Sequence, residues 1–167
     1  KEVITMLKIY IENLHTNKGG WTGLPSQKLD TMLEVLNPNG NHDMIISDFE
    51  TDIQGLKVGE YDDIETLNDI TEQIDDLSDD ELVALQAYLI NGSSLDEALE
   101  KATDGDYTIY YNCDNMEDVA YQVVNDCGLL DGVPEEVKIY FDYEAYGRDM
   151  EINGTFIQID NSFVELY

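Results

Sequence analysis

The segment Val58–Glu100 carries fourteen carboxylates and no lysine or arginine. Between these acids, apolar residues recur at the three- and four-residue spacing of a helix: Ile64, Leu67, Ile70, Ile74, Leu82, Leu85 and Leu89. Because such faces need burial, the segment is not a disordered acidic tail, and the pattern predicts short helices with one apolar and one anionic side. Like charges three or four residues apart cost a helix about 0.2–0.5 kcal/mol per pair, so the chain keeps this charge against a penalty.

The whole chain of 167 residues is strongly acidic, with a formal net charge of −29, and its hydrophobic fraction of 43% is sufficient for packed cores. A charge of this size repels DNA, RNA and anionic membranes, and it favours basic proteins or cations as partners. No apolar run approaches a membrane span of about 20 residues. Lys8 breaks the apolar run at the N-terminus, so we expect neither a signal peptide nor a transit peptide there.

The charge is unevenly distributed along the chain. It is −4 over residues 1–61, −12 over residues 62–103 and −13 over residues 104–167. Strand and helix patterns are mixed in the first and last of these regions, whereas the middle region shows helical patterns. We therefore predict an α+β fold of three small consecutive domains: an N-terminal α+β domain (1–61), a central helical acidic domain (62–103) and a C-terminal α+β domain (104–167).

The first region alternates between strand and helix signals. A period-two alternation over Leu7–Ile11 predicts a first strand. Glycines on both sides of Trp21 predict a loop, in which this ring is a packing anchor rather than a platform for a ligand. A helix is expected from Pro25 or the next residue to Leu36, where an Asn-, Pro- and Gly-rich turn ends it, and Met44–Ile46 begins a second strand.

Three helix starts are predicted in the middle region. Asp62 or Asp63 caps the first helix, and Ser78–Glu81 and Ser94–Glu97 have the spacing of capping boxes for the second and third. Acids in a first turn also suit the positive end of a helix, which supplies an ordinary structural role for the carboxylates of both boxes. That role does not cover five acids that lie further along or past the first helix: Glu65, Asp69, Glu72, Asp75 and Asp76.

The last region begins with a predicted strand at Tyr107–Tyr111. Asp114, followed by Glu117 three residues later, predicts the cap of a helix. Gly128 is expected to end this helix. Cys127 falls on the apolar stripe of this helix and is expected to be a core thiol. Because the chain has only two cysteines without metal-ligand spacing, we expect free thiols in a reducing cytoplasm.

Pro134 predicts the first position of another helix, with Val137, Tyr140 and Phe141 on its apolar side. Gly147 is expected to interrupt the helical pattern that follows. The chain then closes with a predicted hairpin formed by residues 155–160 and 163–167.

The sequence offers little catalytic or metal-binding chemistry. It contains no glycine-rich phosphate loop, serine nucleophile elbow or zinc pattern. His15 and His42 are isolated in polar contexts and are expected to lie on the surface. Asn37–Asp43 and Asp104–Asp114 lack the sixth-position glycine and the closing glutamate of an EF-hand loop. We therefore expect no cofactor, no metal and no enzymatic activity.

Four segments resemble a known family. They are Asn112–Ala120 (NCDNMEDVA), Phe141–Asp149 (FDYEAYGRD), Gly154–Phe156 and Ile9–Leu14 (IYIENL). These segments are similar to motifs of the ArdA antirestriction family, which are acidic DNA mimics carried on mobile genetic elements. The resemblance covers nearly the whole chain, and the chain departs from it in the segment Lys18–Pro25.

The resemblance implies an elongated, curved homodimer in the cytoplasm of a bacterial host cell. Its protomers would inhibit type I restriction–modification enzymes by occupying the DNA-binding groove, which blocks restriction and modification. The antirestriction motif of the family falls on Gly128–Asp142, a segment more apolar than a DNA-like surface requires. We therefore interpret its apolar residues as the dimer interface, with ordinary core residues as the alternative: Leu129, Leu130, Val133, Tyr140 and Phe141.

The predicted DNA-mimic surface consists of the acids of the middle region and its C-terminal border: Asp62, Asp63, Glu65, Asp69, Glu72, Asp75, Asp76, Asp79, Asp80, Glu81, Asp96, Glu97, Glu100, Asp104, Asp106, Glu117 and Asp118. B-DNA carries one charge per about 1.7 Å of axis, so the net charge of one protomer matches about 50 Å of duplex. Two alternatives remain from the residues alone: an acidic adaptor that shields another basic DNA-binding protein, and an acidic hydrolase or Ca²⁺-binding module.

Overall fold

Within residues 7–40 and 44–167, the part of the chain that the computed structural model describes, helices and strands form an α+β fold with two small antiparallel sheets. The predicted mixture of helix and strand is therefore confirmed. None of the described helices is both long enough and apolar enough to cross a membrane.

The first sheet has the order β2-β1-β3, formed by β1 (Leu7–Asn13), β2 (Lys18–Leu24) and β3 (Met44–Thr51). The alternating apolar residues predicted for β1 are completely buried on one face. Helix α1 (Leu29–Leu36) packs against this sheet and begins three or four residues later than the sequence indicated.

Strand β2 replaces the loop predicted around Trp21. Antiparallel pairing with β1 supplies hydrogen-bond partners for its backbone, and Gly19 leaves room for the neighbouring strand. A Cβ at Gly19 would lie 2.7 Å from the ring of Tyr10. Tyr10 in turn lies opposite Trp21, with the ring centroids 5.5 Å apart in an edge-on arrangement. Trp21 is 46% exposed, so it packs across the sheet surface rather than in the core.

The middle region forms helices α2 (Ile64–Asp75), α3 (Asp79–Ile90) and α4 (Leu95–Asp104), as predicted. Asp63 caps α2 by accepting a hydrogen bond from the backbone N–H of Thr66 at 2.7 Å. A complete capping box opens α3. The cap of α4 accepts from the backbone of Glu97, whose carboxylate pairs with a lysine instead of closing the box.

The second sheet has the order β4-β6-β5, formed by β4 (Tyr107–Tyr111), β5 (Thr155–Ile159) and β6 (Ser162–Leu166). The predicted C-terminal hairpin is present as β5 and β6, which pair in antiparallel register. Three helices lie between β4 and β5: α5 (Met116–Asp126), α6 (Glu135–Lys138) and α7 (Tyr143–Asn153).

Two predictions for α5 are wrong. Its cap is Asn115 rather than Asp114, because the Asn115 side chain accepts hydrogen bonds from the backbone N–H groups of Glu117 and Asp118. Cys127 is exposed, since the helix ends at Asp126 and the chain turns away from the packed face there. The buried thiol is Cys113, and its burial raises its pKa.

Gly147 does not break a helix, as the sequence indicated, but lies inside the continuous helix α7. A Cβ at this position would come within 2.3 Å of the carbonyl oxygen of Met116, at the start of α5. The close approach of two helices therefore requires glycine at this position. In the sequence, a glycine needed for packing looks the same as a glycine that ends a helix.

One cluster of buried apolar side chains runs from the first sheet through the middle helices to the second sheet. Polar contacts follow the same path. Gln54 donates to the Asp160 carboxylate at 3.0 Å, and the Tyr88 hydroxyl donates to the backbone carbonyl of Asp106. The three predicted units therefore share apolar contacts, and their boundaries at residues 61/62 and 103/104 stay a prediction.

We expect Gly147→Ala to lower the free energy of unfolding by about 1–3 kcal/mol, the usual range for an overpacked contact. Alanine would otherwise stabilise a helix relative to glycine by about 0.5–1 kcal/mol. Chemical denaturation checks this, with Asp149→Ala on the exposed side of the same helix as the control. A Gly147→Ala protein as stable as the wild type would contradict the packing argument.

Candidate acidic interaction surface

Helix α2 carries a row of four exposed carboxylates along one side: Glu65, Asp69, Glu72 and Asp76, the last at its C-cap. The opposite side is buried and contains Leu67, Ile70, Thr71 and Ile74. The charged row covers twelve residues, and the eleven steps between its ends correspond to about 16 Å at a rise of 1.5 Å per residue. Carboxylates three or four residues apart on a helix are held with Cβ atoms about 5–6 Å apart. Asp75 is exposed beside this row.

Helix α4 repeats the arrangement with a second row of exposed acids: Asp96, Glu97, Glu100 and Asp104. Its buried side consists of two alanines and a leucine. Lys101 lies 3.5 Å from the Glu97 carboxylate and 5.1 Å from the centroid of the Tyr88 ring. This cation offsets part of the charge at one point of the row.

Helix α3 is largely buried and presents acids only in its first turn, at Asp79, Asp80 and Glu81. The Glu81 carboxylate accepts from the backbone N–H of Ser78 at 2.7 Å and from its hydroxyl at 2.6 Å, and these bonds lower the pKa of Glu81. Asp80 accepts from the Tyr111 hydroxyl at 2.5 Å, which raises the pKa of Tyr111 to about 12. The first turn of α3 is therefore fixed against strand β4.

Two acids before α2 have structural partners as well. Asp62 accepts from the backbone N–H of Gly59 at 2.7 Å, which closes a turn. Asp63 caps α2, and the hydrogen bond from the Thr66 backbone lowers the pKa of this carboxyl. Both carboxylates are exposed, so these bonds hold them in place without removing them from the surface.

The remaining predicted acids lie at the border with the second sheet. Asp106 is exposed beside the start of β4, and Glu117 is exposed in the first turn of α5. Asp118 is half-buried and accepts from the backbone N–H of Asp114 at 2.9 Å. Gln122 of α5 also contacts β4 here, because it donates to the carbonyl of Tyr111 at 2.7 Å.

Fifteen of the seventeen predicted acids are exposed, and the other two, Glu81 and Asp118, are half-buried. The described residues form three ion pairs, and of the predicted acids only Glu97 takes part in one. Most of the charge is thus both accessible and uncompensated by lysine or arginine in the described part of the chain.

Sequence reasoning missed Asp30 and Glu34, which lie one helical turn apart on α1. A groove of about 310 Å³ brings Asp30 together with Glu65 and Asp69 of α2. The groove is held by a hydrogen bond of 2.7 Å from the backbone N–H of Ser26 to the side chain of Asn68. The helical spacing of the two acids was visible in the sequence, but their nearness to α2 arises from tertiary packing.

The predicted dimer-interface residues form an apolar surface around α6. Tyr140 is 83% exposed and Leu129 is 51% exposed in the protomer, so these two side chains lie outside its core. Leu130, Val133 and Phe141 are half-buried. The rings of Phe141, Tyr143 and Tyr146 pack together, with centroids 4.8 and 5.7 Å from that of Phe141. Two further exposed apolar residues lie here that were not among the predicted interface residues: Val137 and Ile139.

The described residues contain no group of three or more His, Cys, Asp or Glu side chains placed to hold a metal ion. His15 is exposed, as predicted, whereas His42 lies outside the described residues. The arrangement offers exposed carboxylates on helices whose apolar faces are buried, and a separate set of exposed apolar residues around α6.

Comparison with known families gives one match, to a family described as "Antirestriction protein (ArdA)", over residues 9–165. A comparison with curated proteins finds no match. The matched range includes both sheets, all the acidic helices and the apolar surface around α6. Because the match covers nearly the whole chain, this chain belongs to the ArdA family of antirestriction proteins.

Proposed function

We propose that this protein is a non-enzymatic inhibitor that mimics bent B-form DNA. It occupies the DNA-binding groove of type I restriction–modification enzymes in the cytoplasm of a bacterial host, and it blocks restriction together with modification. The observation that carries the proposal is the set of exposed acids in rows on α2 and α4 with only one ion pair among them in the described structure. Membership in the antirestriction family supports restriction enzymes as the target.

The physical basis is an exchange of anions. A DNA-binding groove presents lysine and arginine side chains to phosphates spaced along a backbone. Carboxylates held about 5–6 Å apart on a helix present charge at a similar spacing. The surface has no base edges, so the inhibition does not depend on the recognition sequence of the enzyme.

The proposed assembly is an elongated homodimer. Each protomer has three consecutive domains (1–61, 62–103 and 104–167), and the apolar surface around α6 joins the two C-terminal domains. A second protomer would cover the exposed apolar residues and double the length of the anionic surface. Once one protomer has bound the enzyme, the second is held nearby at a high effective concentration, and this strengthens inhibition.

The charge proposal predicts that loss of inhibition is gradual. An exposed ion pair contributes about 0–1 kcal/mol, so Asp69→Asn or Glu72→Gln alone should weaken inhibition a few-fold at most. Neutralising the whole row on α2 (Glu65→Gln, Asp69→Asn, Glu72→Gln, Asp76→Asn) should weaken it by orders of magnitude. Competition with labelled DNA for a purified type I methyltransferase, at several salt concentrations, measures both effects.

The matched control neutralises four exposed acids outside the predicted surface: Glu136→Gln, Glu144→Gln, Asp149→Asn and Glu151→Gln. This variant has the same net charge as the α2-row variant and should retain far more inhibition. The distributed-charge proposal fails if one substitution on α2 abolishes inhibition in a folded protein, because a discrete site would then be required.

The assembly proposal predicts that Tyr140→Glu weakens dimerisation. The substitution places a charge in the proposed apolar interface, at a position that is 83% exposed in the protomer. Sedimentation analysis should show a dimer for the wild type and a larger monomer fraction for the variant. Val35→Glu, an equally drastic change at an exposed position on α1, should leave the dimer intact. The monomeric variant should still inhibit, though less strongly, and a wild type that sediments as a monomer would refute the assembly.

A further inference from the structure

Tyr61 is 78% exposed and lies on the rim of a groove between α1, β3 and the start of α2, with a volume of about 580 Å³. The floor of the groove is apolar and includes Leu33, Met44 and Ile64. All three floor side chains are half-buried and pack against the hydrophobic core. An exposed aromatic side chain and apolar side chains at the edge of the core therefore line one groove.

Carboxylates from two helices and the turn before α2 line the same groove as this ring. Glu34 comes from α1, and Asp62, Asp63 and Glu65 come from the start of α2. None of the described residues that line the groove is lysine, arginine or histidine. Among the described residues, the groove therefore combines apolar side chains, an aromatic side chain and four carboxylates with no cation.

The backbone on both sides of Tyr61 is held in place. The carbonyl of Glu60 accepts from the backbone N–H of Ile46 in β3 at 2.9 Å. Gly59 and Asp62 form a turn around the tyrosine with two hydrogen bonds, at 2.7 Å to the carboxylate and 3.2 Å between backbones. A Cβ at Gly59 would lie 2.7 Å from that carboxylate, so a side chain there would have to displace the Asp62 oxygen that closes the turn. A ring on a pre-organised backbone loses little conformational entropy on binding.

We propose that this groove binds an arginine side chain of the basic partner protein, with the guanidinium against the Tyr61 ring and its N–H groups directed to the surrounding carboxylates. The inference rests on the proposed binding to a basic DNA-binding partner and goes beyond it, because phosphate mimicry alone assigns no role to an uncharged ring. Tyrosine is enriched among the residues that dominate protein interfaces.

Arginine fits the groove better than lysine does. Its guanidinium is planar, stacks on aromatic faces and is more weakly hydrated than an ammonium group. Its five donors can bond to more than one carboxylate at the same time. Its three methylene groups can lie along the apolar floor while the charged end meets Glu34 or Asp62 at the rim.

A series of uncharged substitutions at Tyr61 tests the proposal without changing the net charge. In the methyltransferase competition assay, Tyr61→Phe should inhibit within about twofold of the wild type, because it keeps the aromatic face. Tyr61→Leu and Tyr61→Ala should inhibit about tenfold less well, a loss that corresponds to about 1.4 kcal/mol. Leucine retains apolar bulk but has no ring face for a cation. Thermal melting should be the same for all four proteins, since the side chain is mostly exposed.

A second measurement identifies the cation. Isotope-labelled protein is titrated with tetra-arginine and, separately, with tetra-lysine, and the ring resonances of Tyr61 are followed by NMR. Saturable shifts should appear at lower concentrations of tetra-arginine than of tetra-lysine. They should weaken in a Glu34→Gln/Asp62→Asn variant. Equal titration curves for the two peptides would overturn the assignment to arginine.

The proposed arginine site is wrong if Tyr61→Leu inhibits as well as the wild type. It is also wrong if Tyr61→Phe loses as much inhibition as Tyr61→Ala. This failure is distinguishable from failure of the mimic proposal. If the α2-row variant loses inhibition while Tyr61→Leu keeps it, the mimic proposal holds and the arginine site does not. If the α2-row variant also keeps inhibition, the proposed function itself is wrong.

Discussion

Burial of one face of each middle helix makes the rest of this structure possible, because it holds carboxylates together that repel one another. Burying a leucine or isoleucine contributes about 1.5–3 kcal/mol, whereas a like-charge pair on a helix costs about 0.2–0.5 kcal/mol. Leu67, Ile70 and Ile74 therefore outweigh the repulsion along the exposed row of α2. The apolar helix α3 packs beside α4 and the second sheet and completes this support.

The polar partners of the acids maintain the surface without neutralising it. Asp63 and Glu81 accept hydrogen bonds from backbone N–H groups, and Asp80 accepts from a tyrosine hydroxyl, so uncharged donors fix the positions of these carboxylates. These bonds hold the pKa values of Asp63 and Glu81 below their ordinary values, which favours the charged form. A surface built in this way presents charges at defined places, as a DNA backbone does, and the apolar surface around α6 remains separate from it.

The sequence predicted those features that depend on neighbouring residues. Helical spacing and the caps at Asp63, Ser78 and Ser94 located the middle helices correctly. Two errors arose where distant parts of the chain meet: β2 is a strand because β1 pairs with it, and Gly147 is a packing contact with α5. The same limit applies to the site, since the acids of α2 were predicted whereas Asp30 and Glu34 join them only through tertiary packing.

The central claim is that this protein and DNA occupy the same groove of a type I enzyme. The most direct test measures the apparent Kd of a purified type I methyltransferase for labelled DNA at increasing concentrations of this protein. Mutually exclusive binding predicts an apparent Kd that rises in proportion to the inhibitor concentration without a plateau, and no complex that contains all three components. A plateau in the apparent Kd, or a ternary complex detected by sedimentation, would contradict the account.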